Sequence, residues 1–186
     1  LKDLVERIKY YNGSLYSPME GWKVTPLNID ELIGKVKVCH RSQVLCYSDK
    51  ESVISPKEKE NLHIDSTLEQ FDDYYYGGKK KEAIDLLQRL VESIDKIPLY
   101  SLDGKCEYHN FSDLFELYLY SVISKNVKKI VEIDIPCSEI MYRYGKALFE
   151  EEMYTPARSA FEKDMKWEPV NAKIAFAHAD TYKAVG

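Results

Sequence analysis

The chain has 186 residues, 45% hydrophobic and 31% charged, and its 31 acids against 26 bases give a formal charge of −5. That balance describes a globular chain able to bury a core. It lacks the positive field that draws proteins to phosphate backbones or anionic lipid, which excludes nucleic acid as the main partner. No run approaches the roughly 18 apolar residues that cross a bilayer, so no membrane span is expected.

Four cysteines, Cys39, Cys46, Cys106 and Cys137, are too sparse for a disulfide-stapled scaffold and fit a reducing compartment, so the expected location is cytoplasmic. Leu1 stands where an initiator Met would, and Asp3 and Glu6 interrupt the first residues, so the sequence reads as a piece of a longer chain without a visible signal peptide. Residues 1–54 form the least regular stretch and read as an N-terminal capping segment. Leu1, Leu4, Val5 and Ile8 suggest a short helix stopped at Asn12-Gly13, and Asn28-x-x-Glu31 starts another. Lys35–Val38 and Gln43–Tyr47 have an alternative reading as a two-stranded hairpin. Helices with irregular loops are favoured, with Trp22 plugging the segment onto the helical domain.

Residues 55–186 read as that helical domain. Ser55-Pro56-Lys57-Glu58 is a capping box with Pro in the first helical position. Leu62, Ile64, Leu68, Phe71 and Tyr75 then keep helical spacing up to Gly77-Gly78. A returning helix over 79–96 points Ala83, Ile84, Leu87, Leu90, Val91 and Ile94 inward. An irregular unit comes next: a loop over 100–109 with a turn at Asp103-Gly104, a helix over 113–123, and a segment 126–135 of open type. Ser138 is expected to cap a helix carrying Ile140, Met141, Tyr144, Leu148 and Phe149. Thr155-Pro156 starts the next helix, with Ala157, Ala160, Phe161 and Met165 on one face, and Glu168-Pro169 ends it. Asn171 caps a third helix through Ile174, Phe176, His178, Ala179 and Tyr182. The fifteen tyrosines cluster, as at Tyr74-Tyr75-Tyr76, where packing is the favoured reading and recognition the alternative.

The order Met141-x2-Tyr144-Gly145-x2-Leu148, Ala157-x3-Phe161, Pro169 resembles the tetratricopeptide repeat, whose skeleton recurs every 34 residues. One period later Ala175-x2-His178-Ala179-x2-Tyr182 falls in phase. Met141 stands for the family's Trp, Leu148 for its Tyr, and Asp164 occupies a site where a small residue is expected. Residues 138–186 carry the likeness well and 56–98 loosely. It implies an all-α fold, a right-handed solenoid of stacked helical hairpins in which Gly145, Ala157 and Ala179 let neighbouring helices approach closely, with the last helix serving as a terminal cap or as the edge of a longer array.

The same likeness implies a concave face on the first helix of each hairpin, where Tyr142, Arg143, Lys146, Phe149, Lys173, Phe176 and Asp180 would line a ligand-binding groove together with Glu139, Ala177 and Lys183. Arg143, Lys146 and Lys173 beside aromatic rings suit a protein or peptide segment that is acidic or bears a carboxylate. A solvated charged face is the bland alternative, and Asp65, Glu69 and Asp72 would turn the far part of the groove acidic. No phosphate loop, dinucleotide fingerprint, zinc-peptidase helix or nucleophile elbow occurs, so no catalysis and no cofactor are expected, and the favoured function is a binding scaffold. Two alternatives stay open. Cys106-x2-His109 supplies half of a zinc site, with Cys39, His40, Cys46, His63 or Cys137 as remote ligands, although an ordinary loop there is favoured. An enzyme or sensor site under the 99–137 unit is the other. His178 is expected as a core imidazole bonded to backbone.

Overall fold

The computed structural model describes residues 52–124 and 128–185. Both helices expected in residues 1–51, the alternative hairpin, Trp22, Cys39, His40 and Cys46 lie outside the described residues. Residues 52–112 and 128–185 belong to one compact unit and 113–124 to another. In chain order the elements are α1 (Pro56–Asn61), α2 (Ile64–Tyr76), α3 (Lys80–Ile94), β1 (Cys106–His109), α4 (Leu114–Ile123), β2 (Lys129–Glu132), α5 (Cys137–Glu150), α6 (Tyr154–Trp167) and α7 (Ala172–Val185). The described chain is therefore mostly helical. No described helix is long and apolar enough to cross a membrane.

Helix α1 starts at the capping box read from the sequence: Ser55 Oγ accepts from the Glu58 N–H, and Glu58 Oε2 accepts from the Ser55 N–H at 2.9 Å. The expected continuous helix breaks after one and a half turns. His63 adopts a left-handed backbone, φ 47° and ψ 40°, a conformation with a steric cost for a residue with a Cβ. The break lets Ile64 turn into the core while every residue of α1 stays out of it. Helix α3 buries the six residues its periodicity predicted, Ala83, Ile84, Leu87, Leu90, Val91 and Ile94. In the second unit, Asp113 Oδ1 caps α4 by accepting from the Glu116 N–H at 3.0 Å.

The segments read as a loop and as undefined contain a two-stranded parallel sheet. Cys106 pairs with Lys129 and His109 with Glu132, and α4 lies in the crossover that a parallel pair requires. Beyond β2, Ile133 and Ile135 are fully buried and join the helical core.

Helix α2 packs on α3, α3 on α5, α5 on α6 and α6 on α7. Gly145 explains how close α5 and α6 come: a Cβ built there would lie 2.7 Å from Phe161 Cε1, inside contact distance, and Phe161 itself is buried. Ala157 is fully buried against the same layer. Ala179 is not. It faces solvent with Ala175, because α7 meets α6 along a different stripe that buries Ile174 and Thr181. Two helix starts also differ from expectation. The N-cap of α5 is Pro136, with Ser138 inside the helix, and α6 begins at Tyr154, so Pro156 sits in its first turn without Thr155 as cap. A proline is tolerated there because a first-turn N–H has no intrahelical acceptor. Replacing Gly145 by Val should lower stability by about 1–3 kcal/mol through overpacking against Phe161, measured by denaturant unfolding.

Candidate functional site

The larger unit carries an open groove of about 560 Å³. Helix α2 contributes Phe71, Asp72, Tyr75 and Tyr76; α5 contributes Ser138, Glu139, Tyr142, Arg143 and Lys146; the start of α7 contributes Lys173 and Ile174. The stretch Asn110–Phe111–Ser112, just past β1, forms a further wall, and Glu132, Pro136, Glu168 and Asn171 complete the lining. Tyr76 is 80% exposed.

Of the residues read as groove-lining, Tyr142, Arg143, Lys146 and Lys173 come together here. Phe149, Phe176 and Asp180 do not. Phe149 turns inward and meets Tyr154 edge-on at 5.3 Å. Phe176 is 70% exposed and away from the lining, and Asp180 accepts from Lys183 Nζ at 2.8 Å. The basic cluster is also thinner than the sequence implied. Arg143 donates to Asp72 and to Glu139, each at 2.7 Å. Burial opposes its charge, but these two carboxylates outweigh burial and hold the guanidinium firmly protonated. Lys173 rests on the Tyr142 ring with Nζ 4.1 Å from its centroid, and Lys146 stands 5.6 Å from the Tyr75 centroid and 4.0 Å from Glu150. Of the acids expected to line the far part of the groove, Asp72 does and Asp65 and Glu69 do not; helical periodicity missed the aromatic part of the α2 side, although the Tyr74-Tyr75-Tyr76 run was its available signal.

A buried polar cluster lies at the base. Ser138 Oγ is 2.5 Å from Asp164 Oδ1 and 2.8 Å from Glu168 Oε2, and all three residues are almost fully buried. Glu168 Oε1 accepts from both the backbone N–H and the hydroxyl of Ser112, each at 2.6 Å. A serine hydroxyl carries one proton, so it cannot donate to two carboxylates at once. The distances are satisfied together when Asp164 is protonated, donates to Ser138 Oγ, and Ser138 donates onward to Glu168. Burial pushes the Asp164 carboxyl up to about 8, with the Glu168 charge adding to the rise and the Ser138 hydrogen bond and Lys173 opposing it. Asp164 Oδ2 is buried without a hydrogen-bond partner among the described residues, as suits the carbonyl oxygen of a neutral acid. The departure from a small residue at this position thus has a structural content.

The start of α5 is capped across space. The Asn110 side chain accepts from the Ser138 N–H at 3.0 Å and donates to the Ile133 and Ile135 carbonyls at 3.3 and 2.9 Å. Ser138 itself caps nothing. Its hydroxyl belongs to the acid cluster.

Cys106 and His109 lie in a strand, where residues three apart point to opposite faces, so they do not converge on one ion. Among the described residues no group of three His, Cys, Asp or Glu is placed to hold a metal. His109 instead turns inward beside Glu107, Nε2 to Oε1 3.2 Å, with Nδ1 3.2 Å from the Trp167 carbonyl, and burial lowers its proton affinity against the pull of Glu107. Cys137 is buried and its thiol is pushed up by burial. His178 corrects its reading: it is half-buried, edge-on to Tyr182 at 5.2 Å and 3.5 Å from Glu162, rather than bonded to backbone.

Compared with known proteins, the chain matches no protein-family model, no curated protein and no solved structure.

The raised Asp164 carboxyl fixes the sign of a pH effect. Between its ordinary value of 3.8 and about 8 the folded chain holds a proton that the unfolded chain releases, so this group's contribution to stability falls as pH rises through that window. Asp164→Asn should gain about 2–4 kcal/mol relative to the parent between pH 5 and pH 8, at about 1.4 kcal/mol per unit, read from urea unfolding at each pH.

Proposed function

We propose that the helices of the larger unit form a tetratricopeptide-like right-handed solenoid and that the chain is a binding scaffold, without catalysis of its own, whose groove takes an extended peptide segment bearing an acidic group. The observation that carries this reading is the groove's combination of one exposed and two half-buried aromatic rings with two lysines. Tyr75, Tyr76 and Tyr142 offer apolar surface with polar edges, and Lys146 and Lys173 stand on two of those rings. An extended chain buries apolar side chains against such rings at low entropic cost to the wall, and a carboxylate satisfies a lysine that is not already tied into a short ion pair. Arg143 has a different part: it braces α5 against α2 through Asp72.

A catalytic reading of the 99–137 unit finds its only buried acid–imidazole pair among the described residues at Glu107 and His109, and neither lines the groove. The scaffold reading is favoured on that ground.

A displayed library of ten-residue peptides, with affinities of selected sequences read by fluorescence anisotropy, tests the proposal. Tyr76→Asp and the pair Lys146→Glu/Lys173→Glu should each weaken selected peptides by tenfold or more without changing the melting temperature. Phe176→Ser, at a ring that is also exposed but lies outside the groove, should leave binding intact. Selected peptides that ignore the groove variants, or that depend on Phe176, would remove the scaffold reading from this site.

A further inference from the structure

We propose that Asp164 is a proton-operated latch for Ser112, at the end of the Asn110–Phe111–Ser112 wall of the groove, acting through Ser138 and Glu168. Its consequence for ligand binding rests on the peptide-scaffold reading; the movement of Ser112 does not.

The geometry supplies a chain of single hydrogen bonds. With Asp164 neutral, its O–H donates to Ser138 Oγ, the Ser138 proton goes to Glu168 Oε2, and Glu168 Oε1 is left to hold both the N–H and the hydroxyl of Ser112. Ser112 Oγ in turn accepts from Asn171 Nδ2 at 3.3 Å, so the wall and the turn before α7 share the same anchor. Loss of the Asp164 proton to solvent leaves one hydroxyl proton between two buried carboxylates. The Ser138 O–H then serves one of them, and the second is both stripped of a donor and repelled by its neighbour across a single oxygen atom. Asp164 is fully enclosed with Ser138 as its hydrogen-bond partner, so it draws the Ser138 proton; Glu168, at the C-terminal end of α6, is repelled by the new charge and its grip on Ser112 loosens.

The charged and titratable groups around Asp164 fit such a role. Lys173 from α7 favours its ionisation and Glu168 opposes it. Tyr142 from α5 lies close enough for the Asp164 charge to raise its own phenol, after the larger effect of burial. From β1, His109 and Glu107 meet the same end of α6 at the Trp167 carbonyl. The balance leaves Asp164 changing charge near neutral pH rather than in strong acid, which is where a latch is useful.

Nuclear magnetic resonance of the labelled chain from pH 6 to pH 10 tests this without any ligand. The Asp164 carboxyl carbon and the Ser112 amide proton should titrate with one shared midpoint near 8, the amide moving upfield as it loses its carboxylate acceptor. Lys173→Gln should move both midpoints upward together, and Asp164→Asn should abolish the Ser112 movement. A Ser112 amide that stays still while Asp164 titrates, or that moves unchanged in Asp164→Asn, would overturn the latch. The wild-type comparison of the two midpoints stands even where a variant folds poorly. Library peptides measured in parallel separate the two proposals: peptides bound with Ser112 motionless refute the latch alone, and Ser112 moving with no peptide bound supports the latch and refutes the scaffold.

Discussion

Three segments that are far apart in sequence meet at Asn110, and its backbone N–H and all the polar groups of its side chain are used there. Its N–H donates to the Trp167 carbonyl at the end of α6, its amide donates to Ile133 and Ile135 beyond β2, and its side-chain oxygen receives the Ser138 N–H from the first turn of α5. Glu168 and Ser138 continue the junction toward Ser112 and Asp164. Each such bond contributes only about 1 kcal/mol net, but a buried donor or acceptor left without its partner costs about 1–3 kcal/mol. The end of the strand, the start of α5 and the end of α6 therefore move together or not at all. The wall of the groove inherits its position from that constraint.

Much of the helical part was legible because its signals are local. A capping box at Ser55, a period of three to four across Ala83 to Ile94, and a proline after Glu168 each act within one or two turns, and each appears where the spacing placed it. The polar junction was illegible for the opposite reason. Ser138 carries the signature of a helix cap, and nothing in its neighbourhood announces Asn110, 28 residues earlier, or Asp164, 26 residues later. The two strands are four residues each, Cys-Glu-Tyr-His and Lys-Ile-Val-Glu, too short and too mixed in polarity for a period of two to register. Likewise His63 offers no glycine to mark a left-handed turn; burial of Ile64 decides it.

The groove shows where face-counting along one helix runs out. It assigned Arg143, Lys146 and Lys173 to one basic cluster, and their spacing on α5 and α7 is right. It could not know that Asp72, 71 residues before Arg143, reaches across from α2 and takes that charge out of play. Nor could it see that the aromatic half of the groove comes from α2. A charge on a helix face is a property of the helix, whereas the field in a groove is a property of both walls.

Gly145 and Ala179 occupy the same register of the proposed repeat one period apart, yet one is buried and the other faces water. The difference lies in what stands opposite. Helix α6 returns along α5 and brings Phe161 onto Gly145, so any side chain there would collide with a ring. On α7 the packing against α6 runs through Ile174, Thr181 and the Tyr182 ring, on which the Arg158 guanidinium rests 3.7 Å from the centroid, while Ala175 and Ala179 face solvent. A small residue thus makes close approach possible without making it happen. Its burial depends on a neighbour with a large side chain at the matching height, as Phe161 stands against Gly145 at the α5–α6 contact.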